Sequence, residues 1–224
     1  MIVWQDPASR SFHQVARLET TDEGEFRFSY LPDARLAPNF LPFAAFPRLH
    51  HEYRSDELFP FFANRVMSPR RPDFRAYLLV LGLTPEDWTP LELLARSSGE
   101  RATDTVLVVA EPTADDNGHE SVVFPVSGVR HLEGAAGRIA RLTPGRRLFI
   151  RPETDNLLDP RAMLLDVATD EPVGWIPAYL LDYLHKHLDG GAGVHAFVER
   201  ANGPDTPWHL RLLCRLEARP VGGA

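Results

Sequence analysis

The sequence predicts an α+β protein in two parts, a mixed N-terminal domain followed by a small β-barrel carrying one or two helices. Three observations carry this prediction. Helical apolar spacing is confined to the middle of the first half, between strand-like runs. The second half holds many short β-like runs around a single clear helical stripe, and closure into a barrel would remove their exposed edges. Between the halves, Ala110 to Glu120 is polar, with Pro, Gly and adjacent acids, which marks a linker. The expected organisation is a module over 1–112, a linker over 113–121, a barrel over 122–219 and a tail over 220–224.

In chain order, Gly24 to Tyr30 alternates polar and aromatic residues, as a half-buried strand does. Leu31 to Pro47 holds four prolines and reads as loop. Asp56 is placed to cap a helix over 57–64 that buries Leu58, Phe61 and Phe62. A second helix is expected over 72–81, with Phe74, Tyr77, Leu78 and Leu81 on one face. A third runs from Pro90 to Arg96 and stops near Gly99. Beyond the linker, strands are expected over 122–129, 147–151, 162–167, 171–176, 193–199 and 209–215. Pro177 suits the first turn of a helix bearing Leu180, Leu181, Leu184 and Leu188, and Gly190-Gly191 stops it.

At 224 residues, 44% hydrophobic and 25% charged, the chain has an ordinary globular composition. No stretch approaches the roughly 18 to 20 apolar residues of a membrane span, and the polar start lacks a secretory pattern. A cytoplasmic protein without membrane partners is expected. Cys214 is the only cysteine, so neither an internal disulfide nor a thiolate zinc site is available. His185 and His187, two apart on a helix, face different ways and are poorly placed to share a metal. No cofactor is expected.

The net charge of −7 resides in the first half. Residues 1–121 carry 12 Arg against 19 acids, whereas 122–224 carry 12 basic and 12 acidic side chains. Because phosphate attraction follows the local field, the second half stays eligible for nucleic acid. Arg130, Arg138, Arg141, Arg146, Arg147 and Arg151 give six guanidiniums in 22 residues, opposed only by Glu133. Such a run reads either as a solvated face or as a phosphate track. Strand alternation puts Arg147, Phe149 and Arg151 on one side and Leu148 and Ile150 on the other. Cations flanking an exposed aromatic suit a single strand. Asn156 and Asp159 read on spacing alone as turn formers, and Trp175 as either core or a stacking surface.

Three motifs of the second half, in order, resemble the HIRAN domain: Ser127-Gly-Val-Arg-His-Leu132, then Leu148 to Met163, then Val173-Gly-Trp-Ile-Pro177. The resemblance covers about residues 122–219 and implies an OB-like barrel that holds a 3′ single-stranded DNA end. By position it gives Arg130 the supporting arginine role, Asn156 and Asp159 the loop pair at the terminal nucleotide, and Trp175 and Trp208 aromatic contacts to bases. Two positions depart: the loop tyrosine is Leu158, and the first tyrosine of the opening motif is His131. Residues 10–112 resemble the N-terminal subdomain of HipA-type toxin kinases, on Phe26-Arg-Phe-Ser-Tyr30, Leu58 to Asn64, Pro90 to Leu94 and Asp104 to Pro112. No Gly-rich phosphate loop, His-Arg-Asp or Asp-Phe-Gly motif accompanies them, so the module implies a protein contact without phosphotransfer.

The expected function is thus non-enzymatic binding of single-stranded DNA or its 3′ ends through Arg130, His131, Arg147, Arg151, Asn156, Asp159, Trp175 and Trp208. The alternative is a regulatory adaptor, toxin–antitoxin-like, whose barrel no longer binds DNA. A hydrolase built on Glu153 and Asp155 lacks a second acidic cluster nearby in sequence.

Overall fold

A computed structural model describes residues 1–219, so the expected tail over 220–224 lies outside the described residues. The chain forms two compact units, Met1–Leu78 with Leu83–Ala110, and Leu79–Gly82 with the chain from Glu111 onward. The α+β class holds.

The first unit is built on strands β1 (Ile2–Gln5), β2 (Phe12–Thr20), β3 (Phe26–Tyr30), β4 (Tyr53–Ser55) and β5 (Val106–Val108), antiparallel in the order β4-β3-β2-β1-β5. The polar reading of the first ten residues misses β1, whose Ile2 and Val3 are fully buried because the strand lies between two neighbours. The proline-rich stretch is ordered by aromatic packing. Phe46 stacks on Phe28 with centroids 3.9 Å apart, and the Tyr30 hydroxyl donates to Phe46 O (2.9 Å) and accepts from Phe43 N (2.7 Å). Desolvation raises the Tyr30 pKa to about 12.

The expected helix over 57–64 is corrected to a single turn, α1 (Pro60–Ala63), with Phe59 rather than Asp56 in the cap position. Pro60 has no N–H and is tolerated only in a first turn, so the helix starts there. Helices α2 (Phe74–Val80) and α3 (Pro90–Ser97) follow. Thr89 Oγ1 caps α3 by accepting from Glu92 N at 3.1 Å, and the left-handed Ser98 and Gly99 end it.

In the second unit the stretch expected as linker carries a hairpin, β6 (Thr113–Ala114) with β7 (Glu120–Pro125), turned by Asp115 Oδ1 accepting from the N–H groups of Asn117 and His119. Helix α4 (Ala135–Ile139) was not apparent from sequence pattern. There follow β8 (Arg147–Pro152), β9 (Met163–Asp166), β10 (Pro172–Trp175), helix α5 (Leu181–Asp189), β11 (Gly193–Ala201) and β12 (Leu212–Arg219). The strands form one sheet in the order β10-β9-β8-β11-β12-β7-β6. The expected closed barrel is therefore corrected: among the described residues no strand ladder joins the two ends, and the chain after β7 meets β10 through an isolated bridge between Ser127 and Trp175. Leu180, Leu181 and Leu184 are buried as the stripe predicts, whereas Leu188 is exposed at the last turn of α5.

Candidate nucleic-acid interface

The bridge between Ser127, just after β7, and Trp175 of β10 also builds the site. Ser127 N donates to Trp175 O (3.0 Å) and Trp175 N to Ser127 O (2.9 Å). This approach needs glycine twice. A Cβ on Gly128, which has φ of +70°, would stand 2.3 Å from Trp175 Cε3, and one on Gly174 would stand 2.2 Å from Val126 Cγ1. The chain then makes a 3₁₀ turn over Val129–His131. Val129 is the buried anchor, and Arg130 and His131 point into solvent. Arg130 Nε donates to His131 Nε2 at 3.0 Å, and no carboxylate among the described residues pairs with this guanidinium.

On the other side of Trp175 lies the loop after β8. Glu153 Oε2 accepts from the Trp175 indole Nε1 (2.7 Å) and from Asn156 Nδ2 (2.5 Å). Asn156 Oδ1 in turn accepts from the N–H groups of Leu158 (2.9 Å) and Asp159 (3.0 Å), and Asp159 Oδ1 accepts from Arg161 N (2.8 Å). The turn-forming reading of Asn156 and Asp159 thus describes their bonds; Asp159 Oδ1 also lies 3.7 Å from Arg161 Nε, and among the described residues no bond is made to its Oδ2. Leu158, 97% exposed, stands at the tip beside the equally exposed Leu157.

Trp208 opens a 3₁₀ turn, Trp208–Leu210, which packs beside the Val129–His131 turn. The Val129–His131 turn thus neighbours both β10, which ends in Trp175, and the turn that Trp208, 45% exposed, opens.

Strand alternation places the remaining cations. Leu148 is buried, while Arg147 and Phe149 lie on the outer face, Phe149 at 56% exposure. Arg147 Nη2 lies 2.8 Å from His195 Nδ1 on the neighbouring β11. Burial first, then Arg147 and Arg219, hold the His195 pKa below its ordinary 6.5. Arg151 differs: Asp166, itself buried, holds its guanidinium through an Nε–Oδ2 contact of 2.5 Å, so its charge is already matched. Arg138 is spent on the carbonyls of Pro172 and Glu133, fixing α4 against β10.

Glu153 is committed to Trp175 and Asn156, and among the described residues no three His, Cys, Asp or Glu converge as metal ligands would. His185 and His187 bond separate carbonyls, those of Arg161 and Tyr183. Cys214 is buried in β12, which raises its thiol pKa. No helix among the described residues is long and apolar enough to cross a membrane.

No family model matches the chain, and no curated protein matches it. The HipA-type resemblance of residues 10–112 thus rests on its motifs alone. Two solved structures align with part of the chain. A Lactobacillus plantarum protein does so at 18% identity and a TM-score of 0.36, over 45% of this chain and 97% of that one. The HIRAN domain of human HLTF does so at 16% identity and a TM-score of 0.32, over 44% of this chain and 72% of that one. At this level neither neighbour assigns an activity or a site to this chain.

Sequence reasoning missed Glu153 as the link between Trp175 and the 156–159 turn, having weighed it only as half of an acid pair. Gly128 was quoted only within the Ser127–Leu132 motif and given no role of its own.

Proposed function

We propose that the second unit is a non-enzymatic binding module for the end of a single nucleic-acid strand, DNA in the first instance. The observation that carries this reading is the Val129–His131 turn, whose arginine has no acidic partner among the described residues and which neighbours the segments bearing Trp175 and Trp208. Arg130 takes a phosphate, which its planar fork suits. Trp208 and the edge of Trp175 receive bases, and Asp159 Oδ2 accepts from a terminal sugar hydroxyl, a role in which a carboxylate beside phosphates attracts rather than repels. Arg147 and Phe149 extend the path along the outer face of β8. The first unit serves as a protein-contact module.

Fluorescence anisotropy with labelled oligonucleotides tests the reading: 3′-hydroxyl and 3′-phosphate DNA, with an RNA of the same sequence as a further arm. A 3′-hydroxyl preference that disappears in Asp159→Asn supports the strand-end assignment. Equal affinity for both termini removes it and leaves strand binding alone.

A second reading is favoured by the exposed Leu157-Leu158 tip, an apolar pair where the resembling family carries tyrosine. Under it the protein is an adaptor and the tip meets another protein. Failure of every oligonucleotide at low salt, together with a partner captured by the native chain and lost on Leu157→Asp, would establish it.

A further inference from the structure

Arg211 follows the Trp208–Leu210 turn and is only 6% exposed. Its Nη2 donates to the carbonyls of Pro204 (2.6 Å) and Thr206 (2.8 Å), and its Cζ lies 4.6 Å from the centroid of the Trp208 ring. The Nε is buried without a hydrogen-bond partner, and no carboxylate among the described residues pairs with the guanidinium. A desolvated cation without a counter-charge is costly, and closing a loop through two carbonyls needs donors but no charge. What the charge adds is the indole: a cation over an aromatic face gains more when desolvated than when hydrated. The guanidinium occupies one side of Trp208, so the ring's 45% exposure belongs to its remaining face and edge.

We propose that Arg211 is a positioning residue for Trp208, backing the indole from beneath so that its open face is held as a rigid, positively polarised platform for a nucleobase. The inference rests on the strand-binding reading above and adds to it the element that makes Trp208 a platform rather than a mobile surface ring. Stacking on a fixed ring avoids the ordering cost that a free ring would bear. Because Arg211 acts through the indole, it contributes to base contact and not to counterion release.

The test titrates the full chain with a fluorescein-labelled single-stranded DNA 10-mer at several salt concentrations, using Arg211→Gln, Trp208→Ala and the double variant. Arg211→Gln keeps a donor for the carbonyls and drops the charge. Arg211→Met, with native thermal unfolding as the check on folding, serves as a second variant. Base stacking of the usual strength predicts that Trp208→Ala weakens binding about tenfold or more. Arg211→Gln is expected to weaken it about three- to tenfold, yet by less than about twofold once Trp208 is gone, with the salt slope unchanged. In the free protein, acrylamide quenching of tryptophan emission should rise in Arg211→Gln and not in the same substitution made on Trp208→Phe. An unchanged affinity in Arg211→Gln, an additive loss in the double variant, or a shallower salt slope overturns the inference while leaving strand binding intact. No binding by the unmodified chain overturns the strand-binding reading itself, and this inference with it.

Discussion

Leu158 stands where the loop offers a side chain to solvent and engages only its backbone N–H, so exchanging it tests the loop's position relative to bound bases. Leu158→Tyr should tighten single-strand binding by about 1 kcal/mol or more, the lower end of the 1 to 3 kcal/mol of an aromatic–base stack. An unchanged dissociation constant would place the tip away from the bases. Glu153 tests the opposite property, since its Oε2 holds both Trp175 and Asn156. Glu153→Ala should cost about 1.5 to 3 kcal/mol of stability in urea unfolding, because hydrogen bonds to a charged acceptor are lost at a half-buried site. Glu153→Gln, which retains an acceptor for the indole, should cost less. Arg130, Asn156, Asp159 and Trp175 could be singled out from the sequence, since each sits in an ordered motif. Glu153 and Arg211 could not, because their roles depend on which segments fold back on them, and no local pattern encodes that.

Strands and turns were read where a period or a breaker fixes them. The alternation over β8 placed Leu148 inward and Phe149 outward, and Pro90 marked the start of α3. Failures came where a single residue overrides the pattern, as Pro60 does in shortening α1, or where an apolar run is too short to stand out, as in β1. Two glycines separate these influences experimentally. Gly128→Ala meets both a left-handed φ and the Trp175 ring, and should destabilise by about 2 to 4 kcal/mol, read as a fall in thermal midpoint. Gly137→Ala, inside α4 with open space around it, should instead be neutral or stabilise by up to about 1 kcal/mol. On β11, His195 has its pKa depressed, so the folded state resists its protonation. Its contribution is fully present above the ordinary 6.5 and is lost as pH falls below that value toward the depressed one. His195→Asn should accordingly flatten the fall in thermal midpoint on acidification through this range.

For the chain as a whole, two features of the sequence had to be weighed locally rather than in total. The charge of −7 lies in the first half, and among the described residues Arg130 and Arg147 have no acidic partner while Arg151 is matched by Asp166. The sequence predicts closure of the second half into a barrel, but the strands form an open order, and the chain after β7 meets β10 through a one-residue bridge at Ser127 and Trp175 that has no propensity signature. The same bridge brings the basic turn against the indole, so the site follows from how the chain after β7 meets β10. The most direct measurement is the affinity of the chain for a single-stranded 3′-hydroxyl oligonucleotide as a function of salt, with and without Arg130→Ala. With three or four phosphates engaged, the log–log slope should be about −2 to −3 and become shallower by about 1 in the variant, with affinity falling about tenfold. Absence of binding at low salt, or a titration that Arg130→Ala leaves unmoved, would contradict strand recognition at this turn.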